Sequence, residues 1–147
     1  MKSEPDECSI DDVLAAPKRS TPWSGVRNYQ ARNFMRDAMR AGDGVLFYHS
    51  SCPEPGIAGL AEVASAPYLD PSQFDRESPY YDPKSDRAAP RWICVDVRAL
   101  KKTRLVPLSE LHAQTALKKM WALRPGNRLS ITPVTAAEWK FIYGKLI

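Results

Sequence analysis

The stretch GVLFYHSSCPEPGIAGLAEV, residues 44–63, decides how the chain is read. Two short apolar runs, Gly44–His49 and Ile57–Val63, flank Ser50-Ser51-Cys52-Pro53-Glu54-Pro55-Gly56. Apolar runs this short, bounded by Pro, Gly and Ser, read as strands, and the punctuation between them as the loop that joins them. Working outward, Trp92–Leu100 reads as another strand: Ile93, Val95 and Val97 alternate with Trp92, Cys94, Asp96 and Arg98, the period of a half-buried sheet. Arg128–Val134 reads as a short strand that Pro133 confines to an edge.

Helical signals surround the strands. Ser9 with Asp12 three residues on forms an Asp variant of the capping box, and Pro17 with the polar run that follows ends that helix. From Asn28 to Arg40 the apolar pairs Phe34/Ala38 and Met35/Met39 recur at helical spacing, until Gly42-Asp43-Gly44 turns the chain. Pro107–Leu111 opens helical sequence that runs toward Met120 and breaks on the way. Thr135-Ala136-Ala137-Glu138 caps a final helix with Trp139, Ile142 and Tyr143 as its apolar stripe. Residues 67–90, rich in Pro, Asp, Ser and Tyr, form an excursion long enough to be functional or mobile. Few long strands, several helices and loop-rich joints indicate a single α+β domain over residues 1–147, with a strongly bent sheet or small barrel.

Composition narrows the function. A net charge of +4 and 26% charged residues describe a basic globular domain, a balance that suits an anionic partner such as nucleic acid. Cys8, Cys52 and Cys94 form no paired-ligand spacing, and two isolated histidines, His49 and His112, suggest no zinc site. The expectation is a reduced, metal-free, cofactor-free protein, cytoplasmic or, in a eukaryote, nuclear. Cys94 is expected in the core. No apolar h-region follows Met1, and no run approaches the ~20 apolar residues of a membrane span, so neither export nor membrane insertion is expected.

The remaining question is WSGVRNYQARN, residues 23–33, where a tryptophan stands among amides and arginines. Trp23 follows Pro22 on loop-like sequence and offers a flat wall against which a base can stack. Gly25 would let a ligand approach the backbone. Asn28, Gln30 and Asn33 can both donate and accept, as reading a base edge requires, although Asn28 also suits a helix cap. Arg32, Arg36 and Arg40 share one helix face, which suits phosphate contacts or simple solvation. Tyr48-His49-Ser50 places a base beside a hydroxyl, but adjacent strand residues point to opposite faces, which argues against a catalytic dyad. No phosphate-cradling loop or nucleophile elbow is present, so no enzyme is expected.

MKSEPDECSIDD (1–12), WSGVRNYQARNFMRD (23–37), GDGVLFYHSSCPEPGIAGLAEV (42–63), SPYYDPKSD (78–86), PRWICVDVR (90–98) and GNRLSITPVT (126–135) resemble, in order and spacing, the EVE domain family. That resemblance implies a PUA-like fold, a bent β-barrel flanked by helices, with kinship to YTH and ASCH domains. It implies a reader of modified bases, modified cytosine in DNA above all; a flipped or single-stranded base as partner and a monomeric protein are expected. The matched positions imply a base pocket of Lys2, Ser3, Glu4, Trp23, Arg27, Asn28, Gln30, Tyr48, His49, Ser50, Arg128 and Ser130. Arg32, Arg36, Arg40, Lys84 and Ser85 would contact the nucleic-acid backbone. Met1 stands directly before Lys2, where the family usually carries several more hydrophobic and aromatic residues of the first strand: either the start is trimmed or misassigned, or the strand is shorter here. Alternatives are an RNA-binding PUA-type module acting on tRNA or rRNA, a small-molecule or nucleotide sensor, and a nucleic-acid-processing enzyme.

Overall fold

Two apolar clusters form on opposite faces of one curled sheet, and that division organises everything else. The computed structural model describes every residue from Met1 to Ile147. Its main sheet contains β1 (Lys2–Ser3), β2 (Ser20–Pro22), β3 (Gly44–His49), β4 (Gly56–Val63) and β7 (Asp96–Pro107), in the order β1-β3-β4-β7-β2. β1 runs parallel to β3, and the other pairings are antiparallel. The β3–β4 register slips between Phe47 and Tyr48, and the β4–β7 register slips twice. Such irregularities bend strands and raise their twist, and here they curl the sheet into a half-barrel. A second, two-stranded sheet pairs β5 (Tyr68–Leu69) with β6 (Ile93–Cys94).

The strands differ from the sequence reading in two places. The expected strand at Trp92–Leu100 is divided after Cys94: β6 leaves with β5, while β7 continues through Lys101, Lys102 and Arg104 to Pro107. Those cations are exposed, so strand pairing rather than apolar alternation carries the extension. Arg128–Val134 forms no strand; its backbone link is the Lys2 N–H donating to the Ser130 carbonyl at 2.7 Å.

Alternation along β3 sends Phe47 to one cluster and Leu46 to the other. The first cluster gathers Ile10, Val13, Trp23, Ala31, Met35, Val95 and Val97, and it is covered by α1 (Ile10–Ala15) and α2 (Tyr29–Asn33). α1 carries the expected Ser9/Asp12 capping box. It lies so close to the sheet that a Cβ on Gly59 would come within 2.6 Å of Ile10. α2 is capped by Asn28 and widens into a π-helical turn, Phe34–Ala38. The second cluster, with Leu46, Ile57, Leu111, Met120 and Ile142, is covered by residues 108–147. There α3 (Leu108–His112) and two 3₁₀ turns lead to α4 (Ala136–Phe141), which carries the Thr135/Glu138 capping box. Cys94 is buried, and burial pushes its thiol pKa up to about 11. No helix is long and apolar enough to cross a membrane.

Candidate functional site

The β1–β3 register, Lys2 opposite Tyr48 and Ser3 opposite His49, separates what the sequence pattern gathered into one pocket. Side chains alternate across a sheet, so neighbours along these strands face opposite ways. Tyr48 packs against the second cluster, and with Lys2 and Ser130 it lines a cleft at the β1–β3 edge of the sheet. His49 belongs to the first face, where its ring meets Phe47 edge-on at 5.8 Å. Of the expected pocket residues, Lys2 and Tyr48 therefore lie on one side of the sheet and Ser3 and His49 on the other.

Several of them are spent on the fold. Trp23 is 8% exposed and meets Phe47 edge-on at 5.5 Å, while its N–H donates to Val95. It belongs to the core rather than to an open wall, because its backbone N–H is tied to the Val95 carbonyl between β6 and β7 and its ring joins the first cluster. His49 accepts the Ile10 N–H at its Nε2 atom, 3.1 Å away, and so holds the start of α1. Burial, the main influence, lowers its pKa below the ordinary 6.5. Ser3 donates to the Cys8 carbonyl at 2.6 Å, and its own carbonyl accepts the Ser50 N–H. Asn28 accepts the Ala31 N–H at 3.0 Å through Oδ1, leaving its side-chain NH₂ free.

Arg27 is the node of a buried network that the sequence did not reveal. Its guanidinium donates to the Asp70 carboxylate at 3.1 Å, the Ser72 hydroxyl at 3.0 Å and the carbonyls of Val26 and Tyr80. It also lies over the Trp92 ring, 5.3 Å from the centroid. Asp70 has no exposed surface. Burial works to raise its pKa, but hydrogen bonds from Ser72, Gly25 and Arg27 outweigh that and hold it below the ordinary carboxylate value. Beside it, buried Gln73 donates to the carbonyls of Asp70 and Trp92 and accepts from Ser85 and the Trp92 N–H. Ser85 is thus bound inward, its hydroxyl donating to Gln73 and accepting the Arg91 N–H. Trp92 donates its indole N–H to Asp82 at 2.7 Å, and Tyr29 stacks on the same indole at 4.8 Å. Asp70, Gln73, Tyr80 and Trp92 organise the 67–90 excursion, which is ordered by these contacts. Nothing in local spacing marks them, since every partner of Arg27 beyond Val26 is more than forty residues away.

The arginine stripe is also partly spent. Arg36 pairs with Asp37, and Arg32 donates to Asn33 and to the Arg91 carbonyl. By contrast, the side chains of Glu4, Gln30, Arg40, Ser50, Lys84 and Arg128 make no hydrogen bond or ion pair within the protein. Free valences therefore lie at the end of β1 (Glu4), after β3 (Ser50) and at the start of α2 (the Asn28 amide and Gln30). Tyr29, 50% exposed, stands beside the α2 group as a rigidly backed ring, and Tyr80 lies over Gly25.

The match to the EVE domain model covers residues 1–145. The chain belongs to the EVE family. This EVE domain is 45% identical over 160 residues to human thymocyte nuclear protein 1, covering 97% of this chain and 70% of that protein. A Pseudomonas putida protein of solved structure superposes with a TM-score of 0.91 at 46% identity, covering 98% of this chain and 95% of that one. The solved structure of human THYN1 protein in complex with DNA containing 5-methylcytosine superposes with a TM-score of 0.91 at 44% identity, covering 98% and 94%. The EVE half-barrel with flanking helices is therefore the PUA-like architecture expected from the sequence.

Proposed function

We propose that this EVE domain is a non-enzymatic nucleic-acid-binding module that reads a modified base, a modified cytosine in DNA. The observation that carries the reading is the near-complete likeness to a protein solved with 5-methylcytosine DNA. The chemistry of the free side chains supports it. A carboxylate accepts from the exocyclic amine of cytosine, and Glu4 has its carboxylate unspent at the end of β1. The free amide groups of Asn28 and Gln30 can donate to ring nitrogen and carbonyl acceptors. Tyr29 and Tyr80 present the rings that Trp23, buried in the core, does not. No step of catalysis is assigned, because the one imidazole beside these groups, His49, is engaged with Ile10.

Charge supports a polyanionic partner. Residues 111–147 hold six of the 21 Lys and Arg and one of the 17 Asp and Glu, so they carry +5, and residues 1–110 carry −1. Lys118, Lys119, Arg124 and Arg128 are exposed in this segment. Phosphates are expected there rather than at Arg32 and Arg36, whose guanidinium groups are already engaged within the protein.

The test is an anisotropy titration of labelled single strands of DNA and RNA carrying cytosine or 5-methylcytosine. The methylated DNA strand is expected to bind tightest, and Glu4→Gln to weaken it by about 1–3 kcal/mol, the worth of a base-edge contact. Equal affinity for all four strands would sink base reading. A preference for RNA would move the assignment to an RNA-binding module.

A further inference from the structure

Beyond the groups assigned to the read base, one tryptophan stands among cations that no acid neutralises. From Leu111 to Ala137 the chain carries Lys118, Lys119, Arg124 and Arg128 and no Asp or Glu. Trp121 lies in the middle of that run, half-buried in the 3₁₀ turn Trp121–Leu123. It does not line the cleft at the β1–β3 edge. The Arg124 guanidinium lies over its ring, 5.2 Å from the centroid. Arg124 and Arg128 are both exposed, and neither takes part in an ion pair.

Two backbone turns bring a third group to the same place. The Arg124 N–H donates to the Trp121 carbonyl at 3.1 Å, and the Asn127 N–H donates to the Arg124 carbonyl at 3.1 Å. Asn127 accepts the Leu129 N–H at 3.4 Å through Oδ1, whereas its Nδ2 atom is buried and has no partner. No other buried side-chain nitrogen or oxygen of the protein is left in that state. A buried donor without an acceptor is costly, so Nδ2 points to an acceptor that the chain itself does not supply. A ring, two unpaired guanidinium groups and an unspent amide donor together match a nucleotide, whose base stacks on the indole and whose phosphate takes the arginines. An exposed cation–π contact is weaker than base stacking, so a base can replace Arg124 over the ring and release it to the phosphate. Position favours a nucleotide of the strand already bound. Trp121 meets Phe34 edge-on at 5.5 Å, and Phe34 ends the helix that Asn28 caps. At ~1.5 Å per residue, Phe34 stands ~9 Å along α2 from Asn28.

We propose that Trp121, Arg124 and Asn127 form a second nucleotide site, which takes a base flanking the read one on the same strand, whatever that base is. The site rests on the nucleic-acid binding proposed above and not on recognition of a methyl group, because every base has a face to stack.

The test is anisotropy titration of the full chain with short labelled DNA strands centred on one 5-methylcytosine, their flanking bases either present or replaced by abasic sugars. The wild type is expected to bind the intact strand about tenfold more tightly than the abasic-flanked one. Trp121→Ala should lose that difference and bind both strands as the wild type binds the abasic-flanked one, while Trp121→Phe keeps most of it. Asn127→Asp retains an acceptor for Leu129 but no donor, and should narrow the difference. Should Trp121→Ala fail to fold, Trp121→Leu, apolar without an aromatic face, serves in its place. A folded variant that binds the intact strand as wild type does, or that weakens both strands equally, would overturn the proposal. So would deoxyadenosine monophosphate binding as tightly as the intact strand, which would make this a site for free nucleotide. The same strands with cytosine at the centre keep the two readings apart. A flanking-base difference that persists there without any methyl preference would sink base reading and leave the second site standing.

Discussion

Gly25 sits at φ +83°, and a Cβ there would lie 2.8 Å from the Tyr80 ring. The sequence pointed to a close approach at this glycine, and the structure places the Tyr80 ring there. Gly25→Ala is therefore expected to cost ~1–2 kcal/mol for the left-handed backbone, with more for the displaced ring. Urea unfolding reads that loss, and weaker binding of the methylated strand reads the moved Tyr80. A second residue sets a pH dependence. The neutral imidazole of His49 accepts the Ile10 N–H, and its folded pKa lies below 6.5. Its contribution to stability is then fully present above pH 6.5 and is lost as pH falls through the lower folded value, since the unfolded chain takes up the proton first. His49→Gln keeps an acceptor for Ile10 but cannot titrate. Its stability in urea between pH 7.5 and pH 5 should fall less steeply than that of the wild type, and parallel curves would remove His49 from the account.

Elements whose signals are local were legible, and elements fixed by distant partners were not. Both capping boxes stand where Ser9/Asp12 and Thr135/Glu138 placed them, because a cap needs three residues and no tertiary partner. The β3 and β4 runs were equally plain. Register was not: a one-residue slip turns every side chain to the other face, and no local pattern reports which neighbour β1 takes. That is why Lys2, Ser3, Tyr48 and His49, contiguous in two motifs, divide between two faces. The 67–90 excursion was legible as an excursion, but its anchor, Asp70 on Arg27, was not. Asp70→Asn leaves the Arg27 guanidinium without its counter-charge and is expected to cost about 3 kcal/mol, the lower end for breaking a buried pair. Limited proteolysis should then cut within residues 75–90 faster than in the wild type, while α1 and α4 stay protected. Unchanged cleavage there would show that Gln73 and Trp92 hold the segment without the ion pair.

At the scale of the whole molecule, net charge was legible in the sequence, and its importance lies in where folding puts it. A charge of +4 spread evenly would attract a polyanion weakly from any side; here the positive excess belongs entirely to residues 111–147, which pack on the second face of the sheet. Binding of the polymer and discrimination of the base should therefore separate in experiment. Contacts to phosphate release counterions and are blind to sequence, whereas contacts to a base edge depend little on salt. Replacing Lys118 and Lys119 with Gln together is expected to weaken methylated and unmethylated single strands by the same factor. The slope of log affinity against log salt should become shallower by about 1.4, at ~0.7 per charge lost on a single strand. Glu4→Gln should do the reverse, narrowing the gap between the two strands at every salt concentration without changing the slope. If the lysine pair altered discrimination instead, the basic segment would be contacting the base itself, and the division of labour between the two faces of the sheet would fail.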